Sequence, residues 1–98
     1  MILIVGTFRI DPARVGEARP AMAAMVEASR DEPGCLQYSY APDLLDPGLI
    51  HVIERWRDRA VLADHFGSPH LLAWRNSWAT LGIGERDLRL YDSEPEAI

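Results

Sequence analysis

The sequence predicts one α+β domain with four strands and two helices in the order β-α-β-β-α-β. Three observations support this prediction. The chain has 98 residues, the length of a single domain. Four short segments have the apolar or alternating pattern of strands, and two segments between them have the period of an amphipathic helix. Prolines and glycines separate these segments.

The first strand and the first helix are predicted over residues 2–10 and 14–31. The strand segment, ILIVGTFRI, is apolar and β-branched, which is typical of a buried strand. In the helix segment the small and apolar residues fall on one stripe. A proline in a helix interior loses a hydrogen bond and clashes with the preceding turn. We therefore expect the regular helix to begin near Gly16, which keeps Pro20 in its first turn.

Two further strands are predicted over residues 35–41 and 49–57. Along the first, one face carries Leu36, Tyr38 and Tyr40. Along the second, one face carries Ile50, Val52, Glu54 and Trp56. Because a short link rich in proline and glycine joins the two runs, they predict a β-hairpin.

The second helix is predicted in two pieces. An aspartate is a natural N-cap for a short helix over 59–66, and Ser68 caps a second piece that runs to about Leu81. Residues 86–91 form the last strand. Residues 1–92 are thus one domain, and the acidic residues 93–98 are expected to be a flexible tail.

This order of elements is that of a ferredoxin-like fold, an antiparallel sheet with both helices on one face. The opposite face of the sheet still carries apolar side chains. We therefore expect a homodimer in which a second copy of the chain covers that face.

Composition and charge exclude several classes of protein. Fifteen acidic against ten basic residues give a net charge of −5, which argues against binding to nucleic acid or an anionic membrane. Cys35 is the only cysteine, so no internal disulfide can form, which fits a reducing cytoplasm. The apolar first residues lack a basic region and a cleavage site, and no run reaches the roughly 20 residues of a membrane span.

Three motifs occur along the chain: EPGCLQY at 32–38, IERW at 53–56 and DHFGSPH at 64–70. In this order and at these intervals they resemble motifs of the antibiotic biosynthesis monooxygenase family, over roughly residues 2–92. The resemblance implies a dimeric α/β barrel with a pocket between sheet and helices. Several members of that family oxidise quinols or polycyclic phenols with molecular oxygen, without metal or flavin. Others isomerise small carbonyl sugars, open heme or have no known reaction.

The histidines of the third motif are the first candidates for chemistry. His65 and His70 are five residues apart across a helix break, whereas a metal pair on a helix needs a spacing of three or four. With no cysteine or carboxylate at ligand spacing, we expect no metal. His65 ends a helix, where it either bonds a backbone carbonyl or acts as a pocket base, and should be the easier histidine to protonate. His70 should stay neutral, in packing or beside the substrate.

Trp56 and Glu54 share the strand face predicted to lie under the helices. Trp56 is either a core residue or, as the resemblance implies, a pocket wall whose N–H bonds a substrate oxygen. A carboxylate there must be paired or neutral, and the expected partner of Glu54 is an arginine, either Arg75 or one from the second subunit. The resemblance also places Arg75 beside a phenolate. Tyr38 either packs on the sheet or contacts the substrate.

Other positions depart from the family's enzymes. Where the phenol-oxidising members place an asparagine and a tyrosine in the pocket, this chain has Val52 and Leu62, which become candidate substrate contacts. Where the heme-opening members have asparagine, tryptophan and histidine, it has Gly6, His65 and Arg75, so we expect no heme. No glycine loop between a strand and a helix cradles a phosphate, so we expect no flavin.

Three functions remain open. The first is a cofactor-independent monooxygenase of a quinol or polycyclic phenol, with His65 as proton acceptor, Trp56 as wall and donor, and Arg75 as phenolate partner. The second is a dimeric domain that binds a small molecule without turnover. The third is an isomerase of a small hydroxy-ketone, in which His65 shuttles a proton. The third needs more positive charge at the pocket than Arg75 alone supplies.

Overall fold

A computed structural model of the chain describes all 98 residues. The four strands are β1 (Ile2–Ile10), β2 (Cys35–Pro42), β3 (Leu49–Trp56) and β4 (Ile83–Asp92). The three helices are α1 (Val15–Arg30), α2 (Arg59–Phe66) and α3 (Pro69–Leu81). The order β-α-β-β-α-β with a split second helix is therefore confirmed.

The strands form one antiparallel sheet in the order β2-β3-β1-β4. On the central strand β1, Ile4 lies opposite Glu54 of β3 and Leu90 of β4. This topology confirms the ferredoxin-like α+β fold. The inward side chains of β1 and β3 are the buried ones, so the core lies between the sheet and the helices.

The core combines alternate strand residues with one face of each helix. From the sheet it takes Ile2, Ile4, Phe8, Ile10, Tyr38, Ile50, Val52, Trp56 and Ile83. From the helices it takes Ala18, Met22, Met25, Val61, Leu62, Leu71 and Trp74. Full burial of one large apolar side chain contributes about 1.5–3 kcal/mol to folding, so this set is the main source of stability.

Helix α1 begins one residue earlier than predicted, and Pro20 lies in its interior rather than in its first turn. A 3₁₀ turn at Pro12–Arg14 runs directly into α1, and the carboxylate of Asp11 caps that turn by accepting the N–H of Ala13. Pro20 leaves the carbonyl of Gly16 without its usual helical donor. Because both residues are exposed, water can satisfy that carbonyl.

Strand β2 departs from the predicted alternation at its start. The register against β3 shifts between Cys35 and Gln37, which indicates a β-bulge. Leu36 is consequently 51% exposed. The prediction that it shares the inner face with Tyr38 and Tyr40 is therefore wrong. The two tyrosine hydroxyls lie 2.9 Å apart in a hydrogen bond.

Residues 93–98 follow β4 without helix or strand and are exposed. The amino group of Met1 lies 3.4 Å from a carboxylate oxygen of Glu94. The flexibility of this tail stays a prediction. No helix combines the length and the apolar character needed to cross a bilayer.

The turn between α1 and β2 requires glycine at position 34. Gly34 has a φ of +82°, and a Cβ at this position would lie 2.7 Å from Cγ1 of Val61 on α2. Its carbonyl accepts the N–H of Arg57 at 2.9 Å. Pro33-Gly34 therefore does more than end the helix, because it joins the α1–β2 turn to the segment that leads into α2.

Replacing Gly34 by alanine should lower the free energy of unfolding by about 1–3 kcal/mol, because the left-handed backbone and the contact with Val61 both oppose a Cβ. The matched control is Gly16→Ala in α1, where no atom lies within 4 Å of the added Cβ. The control should raise stability by about 0.5–1 kcal/mol. Urea unfolding measures both, and equal effects of the two substitutions would contradict the assignment.

Candidate functional site

A cavity of about 140 Å³ lies between the sheet and the two C-terminal helices. Eleven of its 16 lining residues are hydrophobic. The lining comes from all four strands and from α2 and α3, which matches the pocket position expected from the sequence. Its polar members are Glu54, His65, Arg75, Arg86 and Arg89, with the hydroxyls of Tyr38 and Tyr40.

Three aromatic rings form one wall of this cavity. The ring centres of Phe8 and Tyr40 are 5.3 Å apart, those of Phe8 and Trp74 are 5.9 Å apart, and those of Tyr40 and Trp74 are 5.8 Å apart. Tyr40 and Trp74 are tilted by only 31°. Such a wall suits a flat ligand ring in a stacked or edge-on position.

Glu32 brings the two histidines of the third motif together. Its Oε2 atom lies 2.5 Å from Nδ1 of His65 and 3.0 Å from Nε2 of His70. Glu32 stands in the α1–β2 turn, His65 near the end of α2 and His70 in the first turn of α3. The sequence-based argument that the histidines diverge, with no carboxylate in reach, is therefore wrong. Tertiary packing unites them.

These three side chains have the chemistry of metal ligands, and their ligand atoms all lie within 4.8 Å of one another. Two histidines and a glutamate with open positions are typical of catalytic zinc or ferrous sites. In this structure the carboxylate instead accepts a hydrogen bond from each ring. An Nδ1–H of His65 that donates to Glu32 leaves the lone pair on Nε2, so Glu32 sets the tautomer of His65.

His65 is 2% exposed and presents its second nitrogen to the cavity. Nε2 has no hydrogen-bond partner in the chain and is not among the fully enclosed polar atoms. The ring packs on Trp56 and Tyr38, with centres 4.5 Å and 5.5 Å away. Burial lowers the pKa of His65, and the bond to Glu32 opposes that effect.

The predicted ease of protonating His65 is therefore wrong, because burial lowers its pKa more than the hydrogen bond and the charge of Glu32 raise it. The alternative in which a backbone carbonyl binds the ring is also corrected, since Nδ1 bonds to Glu32. His70 does not line the cavity, so its predicted place beside the substrate is corrected. It shares Glu32 with His65, and the centres of the two rings lie 5.8 Å apart.

Trp56 is fully buried and does not line the cavity. Its indole N–H donates to Glu54 at 3.1 Å, so its predicted role as pocket wall and substrate donor is corrected. Glu54 lines the cavity, and its partner is Trp56 rather than the expected Arg75. Burial raises the pKa of Glu54 to about 7, against the opposing effects of the indole N–H and the charge of Arg86.

The remaining predicted site residues divide between cavity and core. Tyr38, Val52 and Arg75 line the cavity, as predicted. Leu62 is 3% exposed within the core and is not a lining residue, so its predicted contact with substrate is corrected. Leu62 lies on the face of α2 that packs into the core.

Sequence reasoning missed Glu32 and Arg86 as site residues. Glu32 opens the first motif, and that position was a usable signal although nothing in the spacing connects it to the histidines. Arg86 alternates with Leu88 and Leu90 along β4, which indicated that it shares their face. The sequence predicted that Arg75 alone supplies positive charge at the pocket. That prediction is too low, because three arginines line the cavity.

Replacing Glu54 by glutamine should change the pH dependence of stability. The carboxyl of Glu54 has a pKa of about 7 in the folded protein, against 4.5 for a free glutamate as in the unfolded chain. Between pH 4.5 and 7 the folded state therefore binds more protons than the unfolded state. Wild-type stability therefore falls as pH rises through this window, by up to about 3 kcal/mol. Glutamine removes the fall.

Urea unfolding from pH 4.5 to 8 tests this, read as the stability of the variant minus that of the wild type. The subtraction removes the opposite contribution of His65, whose lowered pKa makes stability rise with pH. The free energy of unfolding of Glu54→Gln, minus that of the wild type, should become more positive as pH rises. A constant difference would contradict a buried, proton-binding Glu54.

Comparisons with known proteins agree with this architecture. The family model described as antibiotic biosynthesis monooxygenase matches residues 1–77. Rv0793 of Mycobacterium tuberculosis, whose name assigns it provisionally to the monooxygenases, is 32% identical over 74 residues, 76% of this chain and 72% of that protein. The uncharacterised Synechocystis protein sll1783 is 33% identical over 69 residues. That match covers 70% of this chain and 47% of the relative, so this chain matches only about half of that protein's length.

Solved structures show the same fold. A Deinococcus radiodurans protein assigned provisionally to the same family superposes with a TM-score of 0.90 at 24% identity, covering 100% of this chain and 96% of its own. A crystal structure described as an antibiotic biosynthesis monooxygenase gives 0.83 at 30% identity, with 97% and 100% coverage. Together with the sequence match, this shows that the chain belongs to the antibiotic biosynthesis monooxygenase family.

Proposed function

We propose that this chain is a cofactor-independent monooxygenase that oxidises a quinol or phenol with molecular oxygen. One observation carries the proposal. His65 lies in a largely apolar cavity with Nδ1 held by Glu32 and with Nε2 open to the cavity. A buried neutral imidazole in this position is suited to accept the proton of a phenolic hydroxyl. Family membership supports the monooxygenase class.

The proposed reaction begins with a quinol O–H that gives its proton to Nε2 of His65. The guanidinium of Arg75, which lines the same cavity, stabilises the phenolate. The electron-rich ring then reduces oxygen and forms a ring peroxide, to which protonated His65 returns the proton. Loss of water leaves a hydroxyquinone. The quinol supplies four electrons, one oxygen atom enters the ring, and the other leaves as water.

The size of the cavity supports a substrate of one ring. An apolar cavity of roughly 150 Å³ holds one benzene molecule, and this cavity measures about 140 Å³. A polycyclic phenol fits only if α3 or β4 moves. The apolar lining also keeps water away from the phenolate and the peroxide, which a reaction of this kind requires.

A second function is supported by the charges of the cavity. Glu54 and His65 are two titratable groups on one cavity, and three arginines supply the positive charge that a phosphorylated or hydroxylated ketone needs. An isomerase would convert such a substrate without consuming oxygen. A domain that only binds a small molecule would neither convert the ligand nor consume oxygen. Oxygen uptake and product analysis therefore separate the three functions.

His65→Ala should lower kcat on a quinol by roughly 10²-fold or more, the usual scale for a lost general base. The matched control is His51→Ala. His51 also bonds a carboxylate, with Nε2 2.7 Å from Oδ1 of Asp43, but it is exposed on the opposite face of β3. An oxygen electrode gives the rates, and circular dichroism checks the fold. Wild-type activity in His65→Ala would remove His65 from the mechanism.

We also infer a homodimer joined through the sheet face that the helices leave uncovered, in the reducing cytoplasm that the single free Cys35 suits. Five apolar or aromatic side chains lie on this face: Leu3, Val5, Leu49, Ile53 and Tyr91. Ile53 is 40% exposed and Tyr91 is 51% exposed. Leu3, Val5, Ile53 and Tyr91 are neighbours on adjacent strands, and an exposed apolar group of this kind is typical of an interface.

Sedimentation at micromolar concentration should give twice the chain mass of 11.0 kDa. Ile53→Arg should shift the protein towards monomer, because the charge would lie in the interface. Leu44→Arg is the control, since Leu44 is 97% exposed in the β2–β3 link. A wild-type monomer, or equal effects of the two substitutions, would contradict the proposed interface.

A further inference from the structure

Two guanidinium groups without a carboxylate partner line the cavity. All ten basic residues of the chain are arginines. Five of them pair with carboxylates: Arg9, Arg14, Arg57, Arg59 and Arg89. Two others donate to neutral oxygens: Arg30 and Arg55. The three that remain, Arg19, Arg75 and Arg86, are all exposed, and of these only Arg75 and Arg86 line the cavity.

Arg75 and Arg86 approach the cavity from different elements. Arg75 stands on α3, and its charge acts on His65. Arg86 stands on β4, with its guanidinium carbon 6.0 Å from the centre of the Trp78 ring. A cation over an indole is held there by the ring's negative face. The charge of Arg86 acts on Glu54, which lines the same cavity.

One ionised phenol oxygen requires only one of these cations. We assign Arg75 to the phenol oxygen because the charge of Arg75 acts on His65, the proposed base. Glu54 is the only carboxyl among the lining residues, and it already accepts the N–H of Trp56. Arg86 forms no ion pair with Glu54 or with any other carboxylate, so its exposed guanidinium is free to bind an anion beside a cavity that otherwise suits an aromatic ring. A planar carboxylate matches the two parallel N–H bonds that a guanidinium offers.

We propose that Arg86 binds a carboxylate on the substrate ring, so that the ligand of this cavity is a hydroxylated aromatic acid of one ring. The proposal deepens the proposed function and rests on it for the position of the hydroxyl group. The hydroxyl lies at His65 and Arg75, and the carboxylate lies at Arg86. His65, Arg75 and Arg86 all line this one cavity of about 140 Å³.

Binding of benzoate to the 98-residue chain tests the carboxylate site without turnover, because benzoate has no phenolic hydroxyl. By titration calorimetry, benzoate should bind at least 10-fold more tightly than the neutral analogue benzamide. Arg86→Gln should weaken benzoate binding by roughly 10-fold or more, the scale of a hydrogen bond to a charged group, and leave benzamide binding unchanged. Arg19→Gln, the other unpaired arginine, is the control and should change neither.

Results of two kinds in this titration would overturn the proposal. One is equal affinity for benzoate and benzamide, or equal losses in Arg86→Gln and Arg19→Gln. The other is inorganic phosphate binding as tightly as benzoate, which would assign the site to a phosphate rather than to an aromatic acid.

Turnover separates this inference from the proposed function. Gentisate, a quinol that carries a carboxylate, should show a kcat/KM at least 10-fold above that of hydroquinone, and Arg86→Gln should abolish the preference. Equal or better turnover of hydroquinone would overturn the aromatic-acid inference while the monooxygenase stands. If neither gentisate nor hydroquinone causes oxygen uptake, the monooxygenase is rejected. The benzoate titration would still decide the role of Arg86.

Discussion

The carboxylate of Glu32 is the contact on which the rest of the site depends. It binds His65 at the end of α2 and His70 at the start of α3, and so fixes the break between these helices against the α1–β2 turn. The hydroxyl of Ser68 reinforces the break by donating to the carbonyl of His65 at 2.7 Å. A hydrogen bond to a charged group contributes about 1.5–3 kcal/mol. The interaction that orients the base therefore also stabilises the fold.

The cavity derives its chemistry from two polar residues placed where the core would otherwise be apolar. Glu54 and His65 are 5% and 2% exposed. Burial disfavours the charged form of each group, so it raises the pKa of Glu54 and lowers the pKa of His65. A neutral imidazole can accept a proton, and a protonated carboxyl does not repel a phenolate. One physical cause thus prepares both groups for the proposed reaction.

The order and type of the elements could be predicted from the sequence because they depend on local signals. Alternation along β3 and the caps at Asp58 and Ser68 act over a few residues, and the structure contains each feature. The prediction was wrong where a neighbouring element overrides such a signal. The bulge in β2 lies in its pairing with β3, and α1 begins directly after a 3₁₀ turn with Pro20 in its interior.

The sequence by itself therefore determined the fold, the family motifs and the face on which Glu54 and Trp56 lie. Only the tertiary structure decided the contacts that make a site: Glu32 beneath two histidines 33 and 38 residues away, and Arg86 and Arg75 on one cavity. The physical reason is the distance along the chain over which each kind of interaction acts. Periodicity and capping are properties of neighbours in the chain, whereas hydrogen bonds, burial and the resulting pKa values belong to groups that meet only when the helices pack on the sheet.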